Sequence, residues 1–154
     1  MIKKKFLLLF FLFLSSCGYE AIHSKNNLGD SNFSINKINF IGNRVVNLKI
    51  KERLNGYILN KKDKKFSLDI SSVSKKTILA KNISGDPISF KNTTIVNIVI
   101  LTEDKFKNNL QIVESFNYNN STNKFDLKQY ETEIINNLAQ TISDKLIFKL
   151  SSIQ

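Results

Sequence analysis

The chain of 154 residues contains one cysteine, one histidine and one proline. Each scarcity closes off a kind of chemistry. A lone thiol, Cys17, forms no disulfide within the chain, and there is no CxxC pair and no Cys/His cluster for a structural metal. The only histidine, His23, falls in a polar stretch near the N-terminus, so a histidine-based triad has no rigid element to sit on. No G-x-S-x-G, H-E-x-x-H or Walker-type loop occurs. Asp69, Glu114 and Glu133 are scattered, and beside this much lysine they are expected in ion pairs rather than in acid–base work. These absences argue against an enzyme, and no cofactor or metal is expected. Long apolar runs are missing as well. The run from Phe6 to Leu14 is nine residues, whereas a spanning helix needs about 20.

That short run has a telling setting. Lys3, Lys4 and Lys5 precede it, and the small residues Ser15 and Ser16 follow it. A charged start, a short apolar core and a small-residue exit make a secretory signal peptide, here residues 1–16, removed on export. Leu14-Ser15-Ser16-Cys17 resembles the bacterial lipobox. The alternative is an ordinary cleavage site beside an incidental cysteine. The resemblance implies cleavage before Cys17, a diacylglycerol thioether on its sulfur and acylation of the new amino group. Each buried methylene contributes about 0.8 kcal/mol, so two or three acyl chains on one residue anchor it essentially permanently to the membrane. Gly18 stands where inner-membrane lipoproteins often carry Asp, which implies a lipid-anchored protein of the outer membrane, facing the periplasm.

Without residues 1–16 the chain has 138 residues, enough for one domain with its own core. Its formal charge falls from +10 to +7 once Lys3, Lys4 and Lys5 are removed. Basicity of this size calls for an anionic partner. The basic residues are nearly all lysine, with Arg44 and Arg53 the only arginines. Bidentate recognition of bases and phosphates favours arginine, so nucleic acid is not expected. Abundant Asn and Ile fit an AT-rich genome, so codon usage is expected to account for part of the charge. A phosphorylated lipid is the remaining anionic partner.

Gly18 to Ser31 is polar and reads as a tether, residues 17–31, ahead of a single domain over 32–154. Phe33, Ile35, Ile38 and Phe40 mark a strand ending at Gly42-Asn43. Val46, Ile50, Leu54, Tyr57 and Ile58 line one face of a helix over Arg44 to Leu59, capped by Asn43 or Asn47. Phe66, Leu68 and Ile70 alternate with polar residues in a second strand, whose pattern weakens through Lys75 and Lys76 and resumes at Ile78 and Ala80. Gly85-Asp86-Pro87 predicts a turn. The strand after it carries Ile88, Phe90, Thr94, Val96, Ile98 and Ile100 on one side. Ile95, Val99 and Leu101 on its other side predict a central strand covered on both faces. Glu103 to Asn109 reads as a polar turn, and Leu110, Ile112, Phe116 and Tyr118 as the apolar face of a last strand. Tyr130 to Leu150 carries the strongest helical stripe, through Ile135, Leu138, Ile142 and Leu146. The order β-α-β-β-β-α predicts an α+β two-layer sandwich, two helices packed on one face of a four-stranded mixed sheet.

The chain resembles the LPS-assembly lipoprotein family LptE. The resemblance rests on Leu14-Ser15-Ser16-Cys17-Gly18-Tyr19 at the front. At the back it rests on Ser115 to Asn119 leading into a helix from Glu131 to Leu146, with Leu138, Ala139, Ile142 and Leu146 as its stripe. The family's element order is the same. Glu20 and Ala21 depart from the commoner residues after the aromatic. The resemblance implies a plug and assembly partner inside the β-barrel protein LptD, and a binder of lipopolysaccharide on its way to the cell surface. The lysines near the turn, Lys75, Lys76, Lys81 and Lys91, are the candidates for lipopolysaccharide, with lysine acting as a point charge for phosphate. The Gly85-Asp86-Pro87 turn is the candidate partner loop. The competing reading is a solvated edge whose charge deters pairing. A different function also fits an anchor of this kind: an auxiliary lipoprotein of another envelope lipid-transport or secretion system.

Overall fold

The computed structural model describes residues 32–58, 62–102 and 105–153. The expected signal peptide and tether, Cys17 and His23 lie outside them, as does the expected end of the first helix at Leu59. The elements are β1 (Ser34–Gly42), α1 (Arg44–Ile58), β2 (Lys65–Lys81), β3 (Pro87–Thr102), β4 (Lys105–Asn119) and α2 (Lys124–Ser152). They form one four-stranded sheet in the order β1-β2-β3-β4. β1 runs parallel to β2, and the other neighbours are antiparallel. The fold is the α+β sandwich that the element order predicts.

Strand periodicity builds the core. Phe66, Leu68 and Ile70 of β2 and Val96, Ile98 and Ile100 of β3 point to one face, where all are buried. β1 keeps step with them through a bulge. Ile35 lies opposite Phe66, the register shifts before Lys37, and Ile38 and Phe40 then lie opposite Leu68 and Ile70. One extra residue thus returns the apolar set to the core side. Val46, Ile50 and Leu54 of α1 join Ala139, Ile142, Leu146 and Leu150 of α2 over these strands. The Phe33 ring stacks on Tyr57 with centroids 5.0 Å apart, closing the end of the core. Burying residues of this size contributes about 1.5–3 kcal/mol each. Arg53 Nε donates to Asp144 Oδ1 at 2.9 Å and ties α1 to α2 at the surface.

The cap of α1 is Asn43, whose Oδ1 accepts from the Val46 amide at 3.1 Å. Asn47 instead accepts from Ser72 Oγ at 2.6 Å. Gly42 between β1 and α1 has φ 101°, and a Cβ there would overlap the Ser72 carbonyl oxygen.

Three expectations are corrected. β3 is central but not covered on both faces, because both helices pack on the same side; Ile95, Val99 and Leu101 are only half-buried. α2 begins six residues before Tyr130, at Lys124, because Asn123 Oδ1 caps it by accepting from the Phe125 amide at 3.0 Å. β4 begins at Lys105 rather than near Leu110, so the polar residues predicted as a turn continue the strand.

Candidate functional site

β2, β3 and β4 run past the end of α1. Beyond the large core sits a smaller buried cluster of Phe90, Tyr118, Leu127, Ile134 and Leu138. Polar residues separate the two: Ser72, Asn92 and Thr94 are buried, and Ser74 Oγ donates to Asn92 Oδ1 at 2.9 Å. The N-terminal half of α2 therefore rests on its own small apolar footing at the far end of the sheet.

The turn at this end is well ordered by its own groups. Asn82 Oδ1 accepts from the Asp86 amide at 2.8 Å, and Asn82 Nδ2 donates to Asp86 Oδ2 at 3.2 Å. Gly85 has φ 88° and donates its amide to the Asn82 carbonyl at 3.0 Å. The Pro87 carbonyl accepts from Asn120 Nδ2 at 2.7 Å and begins β3. Within the candidate loop, Asp86 is a turn-forming residue and Pro87 a strand start. Beside them Ile83 projects fully into solvent, and Ile78, Leu79 and Ile88 are about half exposed. The end of the hairpin is thus apolar as well as basic.

The four candidate lysines do not form one group. Lys75 lies opposite Thr93, and Lys91 lies opposite Thr77. These two share the open face as diagonal neighbours, about 7–8 Å apart by ordinary sheet geometry. Lys76 lies on the helix side. Its Nζ is 2.5 Å from Glu131 Oε1 of α2 and 3.8 Å from the centre of the Phe90 ring. Lys81 ends β2, past two irregularities in its pairing with β3. Tyr118 OH donates to the same Glu131 oxygen at 2.9 Å. Burial, then that bond, then the carboxylate charge push the Tyr118 phenol above its ordinary pKa. Glu114 also faces the helix side and takes an ion pair from Lys145.

The open face carries the cross-strand row Val73–Ile95–Val113, bordered by the row Lys75–Thr93–Ser115. On its other border Gln111 Nε2 donates to Asn97 Oδ1 at 2.7 Å. Asn39 Nδ2 donates to Asp69 Oδ1 at 2.6 Å farther along. Apolar, amide and lysine side chains so placed suit a surface that meets another molecule over a broad area. The sequence pattern missed this face because it reads Ile95 as covered and singles out neither Val73 nor Val113. Among the described residues, no three His, Cys, Asp or Glu are grouped to hold a metal, and no helix is long and apolar enough to cross a membrane.

No protein-family model and no curated protein matches the sequence. Solved structures do match the fold, bacterial lipoproteins among them. Rare lipoprotein B from Shewanella oneidensis superposes with a TM-score of 0.58 at 14% identity, covering 76% of this chain and 95% of that one. A minor lipoprotein from Acinetobacter baumannii gives 0.56 at 12% identity, covering 75% and 90%. Lipoprotein B from Nitrosomonas europaea gives 0.54 at 10% identity, covering 80% and 88%. At such identities the likeness is one of fold.

Proposed function

We propose that this chain is a lipid-anchored outer-membrane protein of the LptE kind. It faces the periplasm, assists the assembly of lipopolysaccharide at the cell surface and acts as plug and partner of an LptD-like β-barrel. The observation that carries this reading is the fold shared with rare lipoprotein B and its like, in a chain whose residues 14–17 read as a lipobox. The role is binding and assembly rather than catalysis, with no cofactor and no nucleic acid. A barrel lumen is polar, and the open sheet face offers it amide, hydroxyl and lysine side chains. Lys75 and Lys91, side by side on that face, are the pair best placed to meet lipid phosphates.

A detergent pull-down of the full lipidated protein from outer membranes, read by mass spectrometry, tests the reading. It predicts a large β-barrel in about equal amount. Recovery of an inner-membrane transporter, or of nothing, sinks it and moves the weight to an auxiliary lipoprotein of another envelope system. Depletion of the protein should also lower surface lipopolysaccharide.

A further inference from the structure

β2 is nearly twice as long as the strand beside it. β1 pairs with it from Lys65 to Ser72 and stops at Gly42. There the chain turns into α1, and the Asn43 amide donates to the Ser72 carbonyl at 3.0 Å as the last contact along that edge. β2 continues to Lys81. Among the described residues, no strand lies beside its second half on the edge away from β3. Backbone N–H and C=O groups along such an edge form a template for another strand. The pairing with β3 becomes irregular after Ile78, which confines the regular edge to Val73–Ile78. That is roughly 20 Å of strand at about 3.3 Å per residue. Val73 and Ile78 at its two ends are each about half exposed.

We infer that the free β2 edge from Val73 to Ile78 docks an extended acidic segment of a partner protein, which adds to the sheet along the line that β1 leaves at Gly42. Charge argues for an acidic segment. Between Asp69 and Asp86 the chain has Lys75, Lys76 and Lys81 and no carboxylate. Lys76 is held by Glu131, whereas Lys75 has no carboxylate partner among the described residues. The incoming strand would therefore set an acid opposite Lys75, with apolar or β-branched residues two positions either side, opposite Val73 and Thr77. A second copy of the same edge would bring lysine to lysine, which opposes pairing. The lysine that deters self-association thus selects an acidic strand. The inference does not depend on the barrel reading, since the acidic segment is defined by its chemistry.

The test is amide hydrogen exchange by NMR on the full chain in detergent micelles. The probe is a short synthetic peptide, valine alternating with serine around a central glutamate, beside a twin with lysine at the centre. The glutamate peptide should slow exchange along Val73–Ile78 and bind about fivefold more tightly than its twin, the size of one favourable cross-strand charge pair. Lys75→Glu should reverse that preference. An N-methylated glutamate peptide should give no protection, since it cannot complete the ladder. Equal binding of the two peptides, no protection, or protection on β4 instead would overturn the inference. So would an edge already protected without peptide, independent of concentration for the chain's own N-terminal segment or dependent on it for a second copy.

Discussion

The Lys76 ammonium lies 2.5 Å from the Glu131 carboxylate, on the side of the sheet opposite to Lys75. It bridges β2 to the N-terminal half of α2 and covers the Phe90 ring. The cation–π contact contributes about 0.5–1 kcal/mol and the partly exposed ion pair about 0.2–1 kcal/mol. A double-mutant cycle of Lys76→Met and Glu131→Gln isolates the ion pair and should give a coupling of about 0.5 kcal/mol in urea unfolding. A coupling near zero would mean that the pair is only a surface encounter.

Lys75 and Lys91 should behave in the opposite way. Both side chains sit on the open face, and surface changes there are usually within about 0.5 kcal/mol in stability. Under the proposed function, Lys75→Glu and Lys91→Glu should each weaken lipopolysaccharide binding several-fold, and the pair more than either. Lys76→Met should change unfolding more than binding. Binding by surface plasmon resonance, beside urea unfolding, separates these effects. If Lys76→Met alone abolished binding at unchanged stability, the division of the lysines would be wrong.

Two glycines with positive φ should differ sharply. Gly42→Ala adds a Cβ into the Ser72 carbonyl at a left-handed position, so something must move. Strain of this kind costs roughly 1–3 kcal/mol before the overlap is counted. Gly85→Ala meets open space and carries only the conformational cost, about 1–2 kcal/mol. Urea midpoints of the two variants give the comparison. Equal losses would mean that the β1–α1 junction relaxes freely.

Much of this architecture is legible in the sequence because single periodicities decide it. Val46, Ile50 and Leu54 repeat at helical spacing, and Phe66, Leu68 and Ile70 at strand spacing. The start of α2 is hidden because Leu127 is the only buried residue of its first turns, so no stripe forms before Ile134. The signal there is Asn123, a cap residue rather than an apolar one. Phe116 looks like core by its parity, yet it is 45% exposed, because apolar pattern cannot show where the helix layer ends. The lysines hold a similar lesson. Lys75 and Lys76 are neighbours in sequence and read as one charged group. Strand parity places one on each face, and a partner contributed by α2 then fixes what Lys76 does. Cys17, on which the proposed anchor depends, is legible in sequence alone, since it lies outside the described residues.

Tyr118 gives the fold a pH dependence with a definite sign. Its phenol is buried, donates to Glu131 and is raised above the ordinary 10.0. In the unfolded chain Tyr118 ionises near 10, whereas the folded chain holds it neutral. The stabilisation is therefore complete below about pH 10 and is lost as pH rises from there towards the folded value. Tyr118→Phe removes one hydrogen bond to a carboxylate that keeps Lys76, a loss of about 1 kcal/mol near pH 8. The gap between wild type and Tyr118→Phe should then close as pH rises above about 10. Lysine deprotonation affects both proteins over the same range, so the difference isolates the phenol. Urea unfolding of both at several pH values measures it. A gap constant to about pH 11 would mean that the Tyr118–Glu131 bond does not favour the neutral phenol in solution.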